Sequence, residues 1–448
     1  MKKDSYSPID SRYKVGDSLL FWAFFGVLST YVIEGLLRYL LVTVGLPNAI
    51  YLRDAVAVGT VAFIFFRSLL FRGWIESHVT LVCCVLLFHL LIGLFSEIPL
   101  FQTLFGLKIL VPLVFGLALS PILARNFSRL LIFMALFFFI SITGVYINYF
   151  LEKMPWEGME YYTALGTPTG TTREWWATGG LRRLPGFART SFNAAMIVGI
   201  SGFACMLLFK SALLRLMIVL MALTAIILTT TKSMSQVFMV ITLWMLFRKT
   251  PIFFPMGRLL VVTFLVLAIA LPSVVVFFDL SYGFMEKDVP NLLRSLWDRF
   301  SWMWPEAFDL LTKPEHYVFG KGLGAIGTAQ SYGDSYVVPN AADNIFVYTF
   351  VLFGPLSLLY LSYPAWCILR LPNRDNMAVW CIGLLIICYD YGLTINMVEE
   401  PFFSALFGMV FGVGWQSIKK NGISRSNQYR EAYAKACFQG AKQHSSQS

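Results

Sequence analysis

The stretch R-L-L-I-F-M-A-L-F-F-F-I-S-I-T-G-V-Y-I-N-Y-F, from Arg129 to Phe150, carries a charge only at its first residue. About 20 apolar residues in helical conformation cross the hydrocarbon core of a bilayer, and this stretch reaches that length. A helix also satisfies its own backbone hydrogen bonds where water is absent. We therefore predict a transmembrane helix over 129–150.

Comparable apolar segments recur along almost the whole chain. Of its 448 residues, 57% are hydrophobic and 13% are charged, and the mean hydropathy is +0.68, whereas a soluble protein carries about 25% charged residues. The sequence predicts an all-α, polytopic membrane domain over 1–418 and a polar cytoplasmic tail over 419–448. We predict about twelve spans of membrane-crossing length. They are 18–44, 50–66, 78–95, 104–120, 129–150, 191–209, 213–230, 233–247, 258–280, 341–370, 376–395 and 401–418.

Basic residues determine the predicted orientation. The first span follows a basic segment, 2–14, and is too long for the core of a signal peptide, so we expect it to remain as a helix. With a cytoplasmic N-terminus, the cytoplasmic connections hold the basic residues, as the positive-inside rule requires. These residues are Arg67, Arg72, Arg125, Arg129, Lys210, Arg215, Arg248, Lys249, Arg258, Arg370 and Arg374. The net charge of +10 then reflects topology, and no nucleic-acid binding is predicted. Two long loops, 151–190 and 281–340, fall on the outer face.

The first long loop ends in L-R-R-L-P-G-F-A-R-T-S-F-N, residues 181–193. Its arginines, Arg182, Arg183 and Arg189, offer planar forks of donors that suit phosphate oxygens. The alternative is that they bind lipid headgroups or loop carboxylates. Those carboxylates are Glu152, Glu157, Glu160 and Glu174.

The second long loop contains an amphipathic stretch, Asn291–Leu311, with Trp, Phe and Leu at helical spacing and Pro305 as a break or restart. Such a helix is expected to lie along the membrane interface, with its Trp-rich face in the headgroup region. The G-K-G-L-G sequence at 320–324 follows no strand, so we predict that its glycines form turns and not a nucleotide site.

Asp343 and Asn344 stand at the outer mouth of the tenth predicted span. A partly desolvated carboxylate there could act as a general base, or the pair could cap the helix N-terminus. Both interpretations remain open from the sequence.

Charged residues also occur inside or near the predicted spans. Glu34 and Arg38 are four residues apart and are predicted to form a salt bridge. Lys108, Lys232 and Asp390 must face protein, water or headgroups, which makes each a weak functional candidate. The histidines show no pattern for binding a metal, and the cysteines indicate neither a disulfide nor a zinc framework.

These features together resemble the superfamily of O-antigen polymerases and O-antigen ligases, integral-membrane glycosyltransferases with a GT-C-like plan. The resemblance covers most of the chain and rests on the two dominant outer loops and on the order of three short motifs. The motifs are R-L-P-G-F-A-R-T-S-F-N (183–193), T-T-T-K-S-M-S-Q (229–236) and R-x4-W-x2-A (Arg299, Trp304 and Ala307), the last followed by the glycine run and a polar pair that opens the next helix. The ligases usually place a His before the Asn at the helix mouth, so Asp343 favours a polymerase. Polymerases of O-antigen, capsule and exopolysaccharide share this plan, and the resemblance does not separate them.

The resemblance implies glycosyl transfer at the periplasmic face of the bacterial inner membrane, without metal or cofactor, from one undecaprenyl-pyrophosphate-linked glycan to another lipid-linked repeat. Asp343, and next Glu306, are implied as the base. The implied pyrophosphate ligands are Arg189, with Arg182, Arg183 or Arg299 as partners, and Lys232. Outer aromatics such as Trp175, Trp176, Trp302 and Trp304 are candidates for stacking on sugars or for anchoring in the interface. Family analogy also suggests a chain-length regulator as partner. The alternatives are a ligase that moves glycan to lipid A core and a flippase or other transporter of lipid-linked oligosaccharides.

Overall fold

The computed structural model describes residues 8–72, 77–151, 153–162, 168–172, 180–278, 294–333, 339–371 and 375–417. These residues are mostly helical. The helices are α1 (Pro8–Val32), α2 (Glu34–Thr43), α3 (Leu52–Arg72), α4 (Ser77–Phe95), α5 (Leu100–Arg125), α6 (Phe127–Phe150), α7 (Ser191–Leu208), α8 (Ala212–Leu228), α9 (Lys232–Leu246), α10 (Phe253–Phe277), α11 (Arg294–Asp298), α12 (Trp304–Asp309), α13 (Pro314–Phe319), α14 (Ile345–Phe353), α15 (Leu356–Leu369), α16 (Asn376–Tyr391) and α17 (401–417). A π-helical turn, Arg299–Met303, joins α11 to α12, and 3₁₀ turns cover Pro47–Tyr51, Gly327–Tyr332 and Met397–Glu399. Strands β1 (Glu160–Tyr162) and β2 (Pro168–Gly170) pair antiparallel.

The helices are those of a membrane-embedded protein. Within the described residues, six segments are long and apolar enough to cross a bilayer: Pro47–Leu70, His78–Phe95, Leu100–Arg125, Phe127–Phe150, Ser191–Leu208 and Phe253–Phe277. The pair α1 and α2 meets the same test together but is bent by 83°. The all-α membrane fold predicted from the sequence is thus confirmed, and helices also occupy the other predicted spans, some of them shorter than a full crossing.

The bend between α1 and α2 follows from a contact with the first long loop. The N–H of Gly35 donates to the carbonyl oxygen of Phe187 at 2.9 Å, and a Cβ at position 35 would lie 2.6 Å from the carbonyl oxygen of Ala188. Because glycine has no Cβ, the loop backbone can come this close. The loop is therefore packed against the bend.

The tenth predicted span is also interrupted, because Gly354 and Pro355 separate α14 from α15. Gly354 has a φ of +57°, and a Cβ there would lie 2.7 Å from the backbone nitrogen of Gly320. Pro355 offers no N–H to continue the helical ladder. The break thus creates room for the G-K-G-L-G segment.

The G-K-G-L-G glycines form turns, as predicted. Gly320, Gly322 and Gly324 have φ values of +77°, +94° and +87°. Leu323 N–H donates to the carbonyl oxygen of His89 in α4 at 3.0 Å, and Gln102 Nε2 of α5 donates to that of Gly324 at 2.7 Å. The segment therefore runs between α4, α5 and α14, held by backbone contacts.

Helix α16 is the central helix of the bundle, since its residues from Met377 onward are buried. Phe203 of α7 stacks on Trp380 with 5.6 Å between ring centroids. A Cβ at Gly383 would lie 2.2 Å from Phe203 Cε1, so the glycine lets α7 approach closely. At the C-terminal end of α16, the N–H of Ile345 in α14 donates to the carbonyl oxygen of Gly392 at 2.8 Å, and the segment that follows enters the site described below.

The amphipathic stretch of the second loop packs differently from the prediction. Trp304, Ala307 and Phe308 are buried, and Phe308 contacts Phe350 of α14 at a centroid distance of 5.5 Å. The apolar face of α12 packs against α10 and α14, so the interfacial placement was wrong for this part, whereas Arg294–Met303 contains no buried residue and its interfacial placement stays a prediction. Pro305 lies in the first turn of α12, where it restarts the helix after the π-helical turn, as the sequence allowed. Residues 291–293 lie outside the described residues.

Candidate functional site

The L-P-G-F-A-R segment of the first loop is fixed from three sides. The N–H of Gly186 donates to Asn148 Oδ1 of α6 at 3.1 Å, and Trp156 Nε1 donates to the carbonyl oxygen of Gly186 at 3.1 Å. The third side is the contact of Gly35 with Phe187. These contacts place Arg189 at the bend between α1 and α2, directly before α7.

Arg189 stands beside a group of charges contributed by α2 and α3. Arg38 contacts Glu34 Oε1 at 2.6 Å, as predicted, and Arg53 Nη1 contacts Glu34 Oε2 at 3.0 Å. Arg189 lies within electrostatic range of all three residues. Burial, and then the charge of Arg38, lowers the pKa of Arg189. Asp54 Oδ1 also lies 3.7 Å from Arg53 Nε, so two carboxylates stand among three arginines, an arrangement that favours an additional anion.

A second set of charges lies where the second loop meets α14 and α16. Arg299 Nη2 donates to Asp343 Oδ2 at 2.8 Å and to the carbonyl oxygen of Thr394 at 2.7 Å. Arg299 begins the π-helical turn, and such turns occur often at functional sites. Asp343 has a φ of +43° and follows Ala342 at +58°. The strained backbone turns Asp343 out of line with α14 and toward Arg299.

The structure assigns the helix cap to Asn344 and not to Asp343. Asn344 Oδ1 accepts from the N–H groups of Phe346 at 2.8 Å and Val347 at 3.0 Å. Asn344 is fully buried, and its amide also donates to the carbonyl oxygen of Leu393 at 3.3 Å. Since the cap is provided by Asn344, the carboxylate of Asp343 is left to interact with Arg299.

Arg183 and Tyr391 connect the two sets of charges. Tyr391 is buried at the end of α16 and lies within electrostatic range of Arg183, Arg299, Asp343 and Glu400. Burial, reinforced by the charge of Arg299, lowers the pKa of Arg183. The arginines around these centres are Arg38, Arg53, Arg183, Arg189 and Arg299, which we call the arginine cluster.

Two adjacent carboxylates, Glu399 and Glu400, complete the site from the turn between α16 and α17. Thr328 donates to Glu399 through its N–H at 2.9 Å and its hydroxyl at 2.6 Å. Glu400 is hydrogen-bonded by Asn193 of α7 and faces Arg189 and Glu399. Burial, followed by the charge of Glu399, raises the pKa of Glu400 to about 8. Glu400 therefore carries a proton for most of the time at neutral pH.

The structure brings Arg183, Arg299 and Asp343 together and places Arg189 in the neighbouring group around Glu34, but it places other predicted residues elsewhere. Arg182 forms an ion pair with the buried Glu157, which was one of the alternatives open from the sequence. Glu306 and Lys232 are exposed, and no contact among the described residues links either to the arginine cluster. Trp302 is exposed and Trp304 is part of the core, so neither lines the cluster. Trp175, Trp176, Glu152 and Glu174 lie outside the described residues.

Charged residues inside the helices face other protein groups. Lys108 Nζ contacts Asp54 Oδ2 at 3.1 Å and lies 4.5 Å from the ring centroid of Tyr51. Asp390 is buried in α16. Lys108 thus faces protein, as predicted for a charge at this depth.

Sequence reasoning missed Arg53, Glu399, Glu400 and Tyr391. The available signal was the V-E-E-P sequence, 398–401, which places two carboxylates in a very short connection between apolar spans. Adjacent acids in such a position repel one another unless a nearby cation compensates them. Arg53 offered a second signal, because in the predicted topology it lies near the outer face, where basic residues are rare.

Several buried polar atoms in the site have no hydrogen-bond partner among the described residues. They are Nε of Arg299, the hydroxyl of Tyr391 and Oδ1 of Asn193. An unsatisfied buried polar group costs about 1–3 kcal/mol, so each atom favours a ligand with complementary groups. Together they offer two donors and an acceptor beside the arginine cluster.

No family profile, curated protein or solved structure matches this chain. The fold and the site together define a membrane-embedded α-helical protein with a cationic, partly desolvated site built from the ends of its helices. Its chemistry must therefore be inferred from the site.

Proposed function

We propose that the chain is a polysaccharide polymerase, a glycosyltransferase that moves a glycan from undecaprenyl pyrophosphate to a second lipid-linked repeat. The observation that carries the proposal is the arginine cluster, in which Glu34 is shared by Arg38 and Arg53 while Arg189 approaches all three residues. A diphosphate, with several charged oxygens, suits such a surplus of guanidinium groups.

The reaction needs little beyond binding, charge stabilisation and one proton acceptor. Pyrophosphate is a good leaving group, and the arginines stabilise the negative charge that it gains as the glycosidic bond to it breaks. The unsatisfied atoms of Tyr391, Arg299 and Asn193 suit sugar hydroxyls or phosphate oxygens. Of the two bases implied by the resemblance, Asp343 is bound by Arg299 and Glu306 is exposed.

The membrane arrangement is part of the proposal. We propose twelve spans with both termini in the cytoplasm of a bacterial inner membrane. In this arrangement the arginine cluster lies at the outer connections between the helices. The cluster draws on α2, on the start of α3 and on both long loops, and the turn between α16 and α17 places Glu399 and Glu400 beside it. That location suits a substrate whose isoprenoid tail stays in lipid while its sugars stand in water. A chain-length regulator is the proposed protein partner.

The test is the glycan profile of a strain that lacks this gene, with lipid-linked intermediates resolved from surface polymer. Single repeats on undecaprenyl pyrophosphate at the outer face, with no long chains, are expected. Long chains that accumulate on undecaprenyl pyrophosphate would instead identify a ligase. Single repeats trapped on the cytoplasmic face would identify a flippase.

A second measurement tests the site itself. The purified protein in detergent should bind undecaprenyl pyrophosphate more tightly than undecaprenyl monophosphate, because the second phosphate engages further guanidinium groups. We expect at least a tenfold difference, which corresponds to about 1.4 kcal/mol. Equal affinities for the two lipids would contradict a diphosphate site.

A further inference from the structure

We infer that Glu400, and not Asp343, takes the proton from the attacking acceptor hydroxyl. The inference rests on the proposed function and deepens it by naming the base. In the step, the acceptor oxygen bonds to the anomeric carbon of the donor sugar, and the bond from that carbon to the pyrophosphate oxygen breaks. The bonding electron pair leaves with undecaprenyl pyrophosphate, and the hydroxyl proton goes to the Glu400 carboxylate.

The carboxylates of Asp343, Glu399 and Glu34 are each already engaged by neighbouring groups. Asp343 Oδ2 accepts from Arg299 at 2.8 Å, and Glu399 accepts twice from Thr328. A carboxylate paired with a guanidinium is a weak base, because the cation stabilises its ionised form, and both oxygens of Glu399 are occupied by Thr328. Glu34 is engaged by two arginines in the same way.

Glu400 is hydrogen-bonded by a neutral amide and, among the described residues, forms no ion pair with an arginine. The amide of Asn193 in α7 hydrogen-bonds it, and Arg189, directly before α7, is the cation that acts on it. The groups that face Glu400 from the packed elements are Glu399, Glu34, Arg189 and Tyr391. It therefore stands beside the proposed pyrophosphate ligand Arg189, where the attacked anomeric carbon would be located.

The chemical environment of Glu400 also suits proton transfer. Burial and the charge of Glu399 raise its pKa to about 8, and a base works best with a pKa close to the working pH. The unsatisfied Oδ1 of Asn193 offers an acceptor beside it for a neighbouring sugar hydroxyl. An acceptor could thus be aligned and deprotonated at one place.

The experiment uses the full-length protein in proteoliposomes, with lipid-linked repeats extracted from the deletion strain as substrate. Initial transfer rates are measured from pH 6 to 9 for wild type, Glu400→Gln, Glu400→Asp and Glu315→Gln, together with binding of undecaprenyl pyrophosphate. Glu315 is an exposed carboxylate on α13 and serves as the matched control.

Wild type should become faster as the pH rises through about 8, because only the ionised carboxylate accepts a proton. Glu400→Gln should lose about 10²–10⁴ of the rate and the rise with pH, while it binds undecaprenyl pyrophosphate at least as tightly as wild type. Glu400→Asp should keep the rise at a lower rate, and Glu315→Gln should match wild type.

Two results would overturn the inference, and they are distinguishable. Normal rates and a normal pH profile in Glu400→Gln would remove Glu400 as the base and leave the polymerase proposal intact. No transfer by folded wild type would remove both. If Glu400→Gln does not fold, a wild-type profile that is flat between pH 6 and 9 would decide against Glu400.

Discussion

The guanidinium of Arg299 holds the carboxylate of Asp343 at 2.8 Å across 44 residues of sequence. Through the same nitrogen, Arg299 also binds the carbonyl oxygen of Thr394 at 2.7 Å. One side chain thus joins the second loop, the mouth of α14 and the end of α16. Asp343, which the sequence offered as a base or a cap, has instead the geometry of an anchor.

Arg299→Lys should weaken this anchor although the charge is kept. The other branch of the guanidinium, Nη1, donates to the carbonyl oxygen of Ser295, and a single ammonium group cannot keep all three contacts. We therefore expect a loss on the order of 1–3 kcal/mol in unfolding free energy and at least tenfold less polymer. Thermal unfolding in detergent and the glycan profile measure the two effects. Arg125→Lys, in an exposed pair with Asp17, should change stability by less than about 0.5 kcal/mol. Equal losses in both variants would contradict the anchor.

Arg189→Ala should abolish polymer in a folded protein, because the proposed pyrophosphate site loses its central cation. Binding of undecaprenyl pyrophosphate should weaken by about 10–100-fold, the range expected for a charge-assisted hydrogen bond. Arg189→Lys should recover only part of the activity, since a point charge replaces a fork. Lys313→Ala removes an exposed cation of the second loop and should leave binding unchanged. Normal polymer from folded Arg189→Ala would refute this assignment.

Gly322→Ala should strongly destabilise the fold. Gly322 has a φ of +94°, and a Cβ there would lie 2.2 Å from the backbone nitrogen of Gly93. Backbone strain alone costs about 1–3 kcal/mol, and the clash forces α4 and the loop apart in addition. Gly45→Ala is the matched control, because Gly45 has a φ of +80° with open space around it. We expect a clearly larger fall in melting temperature for Gly322→Ala, and equal falls would show that the contact with Gly93 is unimportant.

Trp304→Ala should destabilise the protein by about 3–5 kcal/mol, the usual range for a fully buried aromatic residue. Trp304 is completely buried, whereas its neighbour Trp302 is 46% exposed. Trp302→Ala should therefore cost under about 1 kcal/mol. Urea unfolding of both variants in the same detergent gives the comparison. A greater loss from Trp302→Ala would favour a helix anchored in the membrane interface.

The difference in unfolding free energy between Glu400→Gln and wild type should depend on pH. The folded pKa of Glu400 is raised to about 8 from an ordinary value of 4.5, so wild type loses stability relative to the variant as the pH rises between these values. The variant should gain roughly 2–4 kcal/mol relative to wild type between pH 4.5 and 9. Denaturant titrations across this range measure the difference. A constant difference would show that burial does not raise the pKa of Glu400.

The positions of the helices followed from apolar length, but their interruptions did not. The bend at Glu34 depends on a hydrogen bond from Gly35 to Phe187, which is distant in sequence. The break at Gly354 depends in the same way on Gly320. Neither partner is visible in a local pattern, because periodicity reports only the segment in which it occurs.

The sequence predicted the loop arginines of the site but not Glu400. Arg183, Arg189 and Arg299 stood in long polar loops, where functional charges are expected, whereas Glu400 stood in a very short turn. The pairing of Arg182 with Glu157 removed one candidate, which only the folded chain could reveal. The sequence thus predicted which charged residues to consider, and the helix connections determine which of them lie close together.

The G-K-G-L-G segment of the second loop can take its place only late in the synthesis of the protein. Gln102 and Gly324 are hydrogen-bonded although 222 residues separate them, and α4 and α5 must be in place before the segment can enter between them. A ribosome delivers those helices long before the loop. The site should therefore mature only late in synthesis, and a chain stopped before residue 320 should be inserted but inactive and open to proteases at its outer end.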